Sequence, residues 1–242
     1  VYLTIAILNM GALRSLVFTV LAYGIAFASE YSSTRTGFPY GFYSYIDHTR
    51  NQELWISNVP FMDSLSYSFL SYISLTMSLL LWCRLDRKGW DVRLVNPEAI
   101  QASWRVILTG AALFMMMDVI IDPVAFLGDR WFLGKIYTYQ EEGEYFNIPL
   151  TNFAGWFVVG TAILFAFGRV ARLLGPPPPG RGMFAQALLG PALYFGVLLF
   201  NLAVTFYIGE VALGLCGTAI TAAIFGLIAH KIRQSEKIGT GQ

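Results

Sequence analysis

Long apolar runs recur along the chain, separated by shorter polar segments. A run of about 20 residues is the length that an α-helix needs to cross the hydrocarbon core of a bilayer, because it rises about 1.5 Å per residue. Such runs cover residues 15–29, 59–83, 104–121, 152–167, 185–206 and 208–230. The pattern predicts an all-α, polytopic integral membrane bundle.

The segment 1–11 is also apolar and does not begin with methionine. We therefore expect it to belong to a longer natural sequence or to an earlier helix, which gives six or seven transmembrane helices. No cleavage-site pattern follows it, so a signal peptide is not indicated. We divide the chain into a membrane core at 1–174, a Pro/Gly connector at 175–184, and a C-terminal hairpin with a basic tail at 185–242.

Positive charge is concentrated in alternate connections, at residues 84–105, 169–181 and 231–237. Cytoplasmic loops of membrane proteins carry an excess of Lys and Arg. This distribution predicts a multi-pass protein of the cell inner membrane with a cytoplasmic C-terminus. The long connections 30–58 and 122–151 are then on the outer side.

Composition narrows the possible functions. The chain is 56% hydrophobic and 13% charged, whereas soluble domains have about 45–50% apolar and about 25% charged residues. A net charge of +1 excludes the basic face that nucleic acid requires. Cys83 and Cys216 lie in or at the ends of apolar runs, and His48 and His230 lie on opposite sides of the membrane. We therefore expect no metal and no cofactor.

One candidate site stretch follows the first span. It contains Glu30 and then residues 36–45, in which glycines and a proline alternate with aromatic side chains that include Tyr40, Tyr43 and Tyr45. An ordered turn that closely approaches a ligand is one interpretation. An aromatic belt at the membrane interface is the other.

A second stretch ends the third span. Asp118 and Asp122 are four residues apart and so share one helix face, and Pro123 is expected to end the helix at Asp122. A carboxyl group one turn below the rim is expected to keep its proton at neutral pH. Hydrogen bonding between helices is the alternative role. Asp63 is expected either to join the same site or to cap the helix that starts near Pro60.

The third stretch, residues 146–156, opens the fourth span and contains Asn152 and Trp156. Thr151 or Asn152 could simply cap the helix. Since all three stretches reach the membrane at its outer face, they can form a single site.

The motifs appear in a fixed order along residues 16–174. They are Glu30 with Thr36-Gly37-x-Pro39-Tyr40-Gly41-x-Tyr43-x-Tyr45, Val59-Pro60, Asp118-x-x-x-Asp122-Pro123-Val124, Trp131, and Ile148-Pro149-Leu150-x-Asn152-Phe153-x-Gly155-Trp156. This set resembles the carotenoid biosynthesis membrane protein family, whose characterised members are carotenoid 1,2-hydratases of the bacterioruberin and γ-carotene type. Ser33 and Tyr67 stand where that pattern has glycine and tryptophan.

The resemblance implies cofactor-free hydration of the terminal double bond of an acyclic carotenoid end group, which yields a tertiary alcohol. Asp118 is the expected acid, and Asp122 or Glu30 is expected to orient the water and accept its proton. The expected substrate-binding residues are Tyr40, Tyr43, Tyr45, Asn152, Trp156 and Trp131.

Two other functions fit the same pattern. One is a pigment-binding or structural subunit of a larger membrane assembly, such as a photosynthetic complex, and the other is a transporter. The expected partners are a carotenoid or another polyisoprenoid lipid, membrane lipid and, for the subunit, other membrane proteins. Nucleic acid is not expected.

Overall fold

The computed structural model describes residues 1–47, 50, 52–89, 91–131, 134–175 and 185–239. The helices in these segments are α1 (Tyr2–Met10), α2 (Ala12–Thr36), α3 (Phe61–Trp82), α4 (Pro97–Ile100), α5 (Trp104–Ala125), α6 (Leu150–Leu173), α7 (Leu189–Tyr207) and α8 (Val211–Gly239). Residues 176–184 of the predicted connector, and His48, lie outside the described residues.

Helices α2, α3, α5, α6, α7 and α8 are each long and apolar enough to cross a membrane. Each coincides with one predicted run. The remaining apolar segment at the start of the chain forms α1, which has nine residues. The structure therefore confirms an all-α, polytopic bundle, and six of its described helices have the length of a membrane span.

One predicted helix end is wrong. Helix α5 does not stop at Asp122 but continues through Pro123 to Ala125. Proline is tolerated in membrane helices where surrounding groups satisfy the backbone carbonyl that it leaves without a partner. As a result, Asp122 is still helical and remains one turn above Asp118.

The centre of the bundle is formed by α3 and α5, with α2 and α6 packed against them. Helix α3 is the most buried of the six spans, and five of its fourteen buried residues are serines. Ser71 and Ser74 donate to the carbonyls of Tyr67 and Leu70, at 2.6 and 2.8 Å. Neighbouring helices can approach closely at small side chains such as these serines, whose hydroxyls donate to carbonyls of their own helix.

Short antiparallel strands connect the helices at both ends. They are β1 (Tyr43–Tyr45), β2 (Trp55–Ile56), β3 (Val59–Pro60), β4 (Arg84–Lys88), β5 (Asp91–Val95) and β6 (Tyr137–Tyr139). Strand β1 pairs with β6, β2 with β3, and β4 with β5. The β1–β6 pair joins the two long connections that were predicted to share the outer side.

The basic segments lie together at the opposite end. Arg14 donates to the carbonyl of Ala171 at the end of α6, at 3.0 Å. Arg87 in β4 donates to the carbonyl of Ile232 in α8, at 3.3 Å. These contacts put the β4–β5 hairpin, the end of α6 and the end of α8 on one side of the bundle.

Candidate active site

Asp118 and Asp122, here called the aspartate pair, face the interior from the C-terminal half of α5. Both are buried. The side-chain amide of Asn152 donates to Oδ2 of Asp118 at 2.7 Å and to Oδ2 of Asp122 at 3.1 Å. One amide nitrogen thus holds two carboxyl groups within reach of each other.

Asn152 reaches the pair because of the way α6 begins. The helix starts at Leu150, directly after Pro149, and has no side-chain cap. Thr151 donates to the carbonyl of Tyr40 at 3.3 Å. The alternative that Thr151 or Asn152 caps the helix is therefore wrong, and both side chains make tertiary contacts instead.

Two tyrosines of β6 complete the surroundings of Asp122. Tyr137 donates to its Oδ1, and Tyr139 donates to its Oδ2 at 3.1 Å. Burial raises the pKa of both tyrosines well above the ordinary value, and the nearby charge of Asp122 raises it further. The two hydroxyls therefore stay protonated and act as donors.

A second polar group, the glutamate cluster, consists of Glu30, Asp63, Tyr45 and Ser64. The Tyr45 hydroxyl lies 3.0 Å from Glu30 Oε1 and is also hydrogen bonded to Asp63, while Ser64 donates to Glu30 Oε2. Asp63 does not cap α3, which begins after Pro60 without a side-chain cap. Asp63 therefore lies beside Glu30 in the candidate site and does not act as a helix cap.

The β1–β6 pair connects the two polar groups. Alternate residues of a strand point to the same face, so Tyr43, Tyr45, Tyr137 and Tyr139 share the face towards the bundle. Tyr43 lies at the centre, with its ring 5.3 Å from that of Tyr45 and 6.1 Å from those of Tyr137 and Tyr139. An unbroken set of phenol rings thus runs from the glutamate cluster to the aspartate pair.

Tyr40 is fixed by the turn that follows α2. Its backbone amide donates to Ser33 Oγ at 3.0 Å, and its hydroxyl lies 2.9 Å from Ser29 Oγ. The turn packs directly on Gly155 of α6, where a β-carbon would come within 2.8 Å of the Pro39 carbonyl oxygen. Burial raises the pKa of Tyr40 well above its ordinary value, and the charges of Glu30 and, more weakly, Asp118 add to this effect.

Helices α3 and α6 supply a further aromatic wall. The rings of Tyr67 and Trp156 stack at 4.5 Å with an interplanar angle of 15°, and the Tyr40 ring lies 6.4 Å from each of them. Tyr67, which stands where the resembled pattern has tryptophan, fills that position with another flat ring.

These groups surround a cavity of about 590 Å³, a size typical of small-molecule sites. The cavity is lined by both polar groups, by the tyrosines of β1 and β6, by Trp131 and Trp156, and by apolar residues of α3, α5 and α7. A few carboxyl groups therefore lie inside a mainly apolar and aromatic space. Such a site can hold a hydrocarbon, transfer a proton to it and stabilise positive charge through ring faces.

A family model described as carotenoid biosynthesis protein matches residues 1–228. The chain belongs to this family. No significant match was found among the curated proteins or among the solved structures. Membership of the family gives the protein a role in carotenoid biosynthesis, with a lipid or isoprenoid substrate. Its six candidate spans make it a multi-pass membrane protein.

The family match extends further along this carotenoid biosynthesis protein than the motifs alone indicate. The motifs end before residue 174, whereas the match continues through α7 and most of α8. The structure gives a reason for part of this extension, because five residues of α7 line the cavity. The C-terminal hairpin is therefore in contact with the site.

The structure brings the nine predicted site residues to one cavity. Asp118, Asp122, Glu30, Tyr40, Tyr43, Tyr45, Asn152, Trp156 and Trp131 all line it. The sequence analysis did not include Tyr137 and Tyr139. The signal that could have identified them is the repetition of a Tyr-x-Tyr pattern, found at 43–45, in the second long connection at 137–139.

Proposed function

We propose that this protein hydrates the terminal double bond of an acyclic carotenoid end group without a cofactor. The observation that carries the proposal is the aspartate pair, held by one Asn152 amide at the wall of an aromatic, apolar cavity. Hydration of an isolated alkene needs a strong neutral acid, a place for the resulting cation and a water molecule. The cavity offers a candidate for each.

The hydrogen-bond pattern supports different roles for the two aspartates. Asp122 accepts from Tyr137, Tyr139 and Asn152, whereas the hydrogen bond found for Asp118 comes from Asn152. Donors stabilise a charged carboxylate, and two adjacent carboxyl groups in a dry site do not both ionise. Asp122 is therefore the charged partner and Asp118 holds the proton.

The reaction then proceeds in two steps. Asp118 gives its proton to the less substituted alkene carbon, so a C–H bond forms from the π electrons and a tertiary cation remains on the neighbouring carbon. A water oxygen forms the C–O bond to that carbon, and the proton it loses goes to the Asp122 carboxylate. The pair still holds one proton, and its return from Asp122 to Asp118 restores the starting state.

The aromatic residues stabilise the cation between these steps. A positive charge is attracted to the face of a tyrosine or tryptophan ring, and Tyr40, Tyr67 and Trp156 offer such rings in the wall of the cavity that Asp118 also lines. The glutamate cluster is separated from the aspartate pair by the tyrosine rings of β1 and β6. Its polar oxygens can hold water in an otherwise apolar space.

Replacing the acid tests this proposal. Asp118→Asn keeps a carbonyl oxygen that can accept the Asn152 amide but removes the proton, so hydroxylated product should fall by at least about 100-fold, in the range of general acid catalysis. The measurement is the yield of hydroxylated product in cells that contain lycopene, an acyclic carotenoid. Asp129→Asn, at an exposed position outside the cavity, is the matched control and should match the wild type.

Undiminished product from Asp118→Asn would remove this residue from the mechanism. If the wild-type protein binds lycopene but forms no hydroxylated product, the protein is instead a pigment-binding or structural subunit of a membrane assembly.

We also propose that the protein lies in the cell inner membrane with its C-terminus in the cytoplasm. The support is the concentration of Arg and Lys at one end of the bundle, where β4, α6 and α8 meet, together with the rule that cytoplasmic loops are rich in these residues. The aspartate pair then lies in the outer half of the membrane.

A further inference from the structure

One wall of the cavity is a single face of α7. Its lining residues are Leu193, Gly196, Val197, Phe200 and Asn201, at the spacing of one helix face. None of them carries a charge. The α7 wall is therefore uncharged, whereas other parts of the cavity wall carry the carboxyl groups.

Helices α3 and α7 are close at one end and both border the cavity at the other. Towards the inner end, a β-carbon on Gly190 would overlap the Thr76 side chain, so the two helices are in direct contact there. Further out, Ser66 and Phe69 of α3 line the cavity, as does the α7 face. The cavity therefore reaches both helices beyond their contact at Gly190 and Thr76.

The exposed lining residues show where this space opens. Among the described residues that line the cavity, Gly196 and Phe200 alone are exposed, and Phe200 has 52% of its surface accessible. A β-carbon placed on Gly196 would meet no atom within 4 Å. The opening, here called the α7 mouth, is thus beside Gly196 and Phe200.

The α7 mouth lies in the hydrocarbon region. Gly196 is seven residues from the start of α7 and eleven from its end, which corresponds to about 10 Å and about 16 Å along the helix axis. A molecule that passes through an opening at this depth comes from the lipid phase and is apolar.

The size of the cavity favours such an opening if the substrate is long. A rounded cavity of about 590 Å³ is roughly 10 Å across, whereas an extended carotenoid is roughly as long as the hydrocarbon core is thick, about 30 Å. An end group at the aspartate pair would leave most of the polyene outside.

We propose that the polyene chain leaves the cavity through the α7 mouth and that Gly196 determines whether this chain is accepted. The inference rests on the proposed function for the end group and adds the path of the chain and the residue that keeps it open. Because Gly196 has no side chain, the polyene can pass between α7 and α3 into the bilayer.

Filling the α7 mouth tests this proposal. In Gly196→Phe the ring should occupy the opening, so the amount of lycopene that copurifies with the protein, measured by absorbance, should fall at least tenfold. Gly226→Phe is the matched control, because Gly226 is an exposed helical glycine with nothing within 4 Å of its β-carbon and does not line the cavity. The control should retain as much lycopene as the wild type.

A smaller variant separates blockage from damage to the fold. Gly196→Ala should bind less lycopene than the wild type while its Tm is equal or higher, because alanine favours a helix over glycine. Lycopene retention by Gly196→Phe equal to that of Gly226→Phe would overturn the proposal. A third outcome is that the wild type binds lycopene and Gly196→Phe does not, yet no hydroxylated product forms. This outcome would contradict the proposed hydration and support the proposed path of the polyene through the α7 mouth.

Discussion

At the residue scale, the donors around each carboxyl group support the proposal that Asp118, and not Asp122, gives the proton. The four-residue spacing of Asp118 and Asp122 was enough to predict a shared helix face. It could not predict that Tyr137 and Tyr139 donate to Asp122, since those contacts depend on the pairing of two connections almost a hundred residues apart. Asn152 was predicted as a site residue, but its bonds to both aspartates became clear only from the structure.

Removing one of these donors should slow the reaction without removing the acid. Tyr137→Phe deletes a hydrogen bond to a charged group, worth about 1.5–3 kcal/mol, so the rate should fall about tenfold or more. Fewer donors make the Asp122 carboxylate harder to form, so the rising limb of the pH–rate profile should move to higher pH. The measurement is hydroxylated product formed by isolated membranes across a pH series.

The matched control for this variant is Tyr145→Phe. The Tyr145 ring packs on Phe153, 5.6 Å away, and does not line the cavity, so neither rate nor pH profile should change. A Tyr137→Phe profile that superimposes on that of the wild type would show that this hydroxyl does not position the charge of Asp122.

At the scale of elements, the six membrane helices were predictable because apolar length alone determines whether a segment crosses the bilayer. The ends of these helices were less predictable, as Pro123 shows, because a neighbouring structure can compensate for a missing backbone hydrogen bond. The short strands were missed altogether. Segments of three residues such as β1 and β6 have no periodicity of their own and exist only through pairing.

The packing of helices against each other also makes α7 a wall of the cavity. The apolar run at 185–206 predicted a plain helix of a hairpin, and nothing in its hydropathy marked one face as a cavity wall. That face depends on how α7 packs against α3. The division into a core at 1–174 and a hairpin at 185–242 remains a proposal, and α7 belongs to the site whichever division holds.

At the scale of the whole molecule, the distribution of charge predicts which side of the membrane each end faces. Alkaline phosphatase, which is active only outside the cytoplasm, should be inactive when fused after residue 239 and active when inserted into the outer connection near Gly143. A green fluorescent protein at the same two positions should show the reverse. High phosphatase activity at the C-terminus would contradict the proposed orientation.

The arrangement that we propose for the whole molecule is a proton-transfer pair at one side of an aromatic cavity, which opens towards the hydrocarbon of the membrane. In this arrangement the substrate stays in the lipid phase, and only its end group reaches the carboxyl groups. Water and a mobile proton are then the only reactants that the hydration requires besides the carotenoid.

In the proposed hydration, the oxygen of the product comes from water. Membranes that contain the protein and lycopene should be incubated without molecular oxygen, in water enriched in the heavy oxygen isotope and in deuterium, and the product analysed by mass spectrometry. We expect a tertiary alcohol with one heavy oxygen atom and one deuterium on the adjacent carbon. A product that forms only with molecular oxygen, or that lacks the heavy isotope, would contradict it.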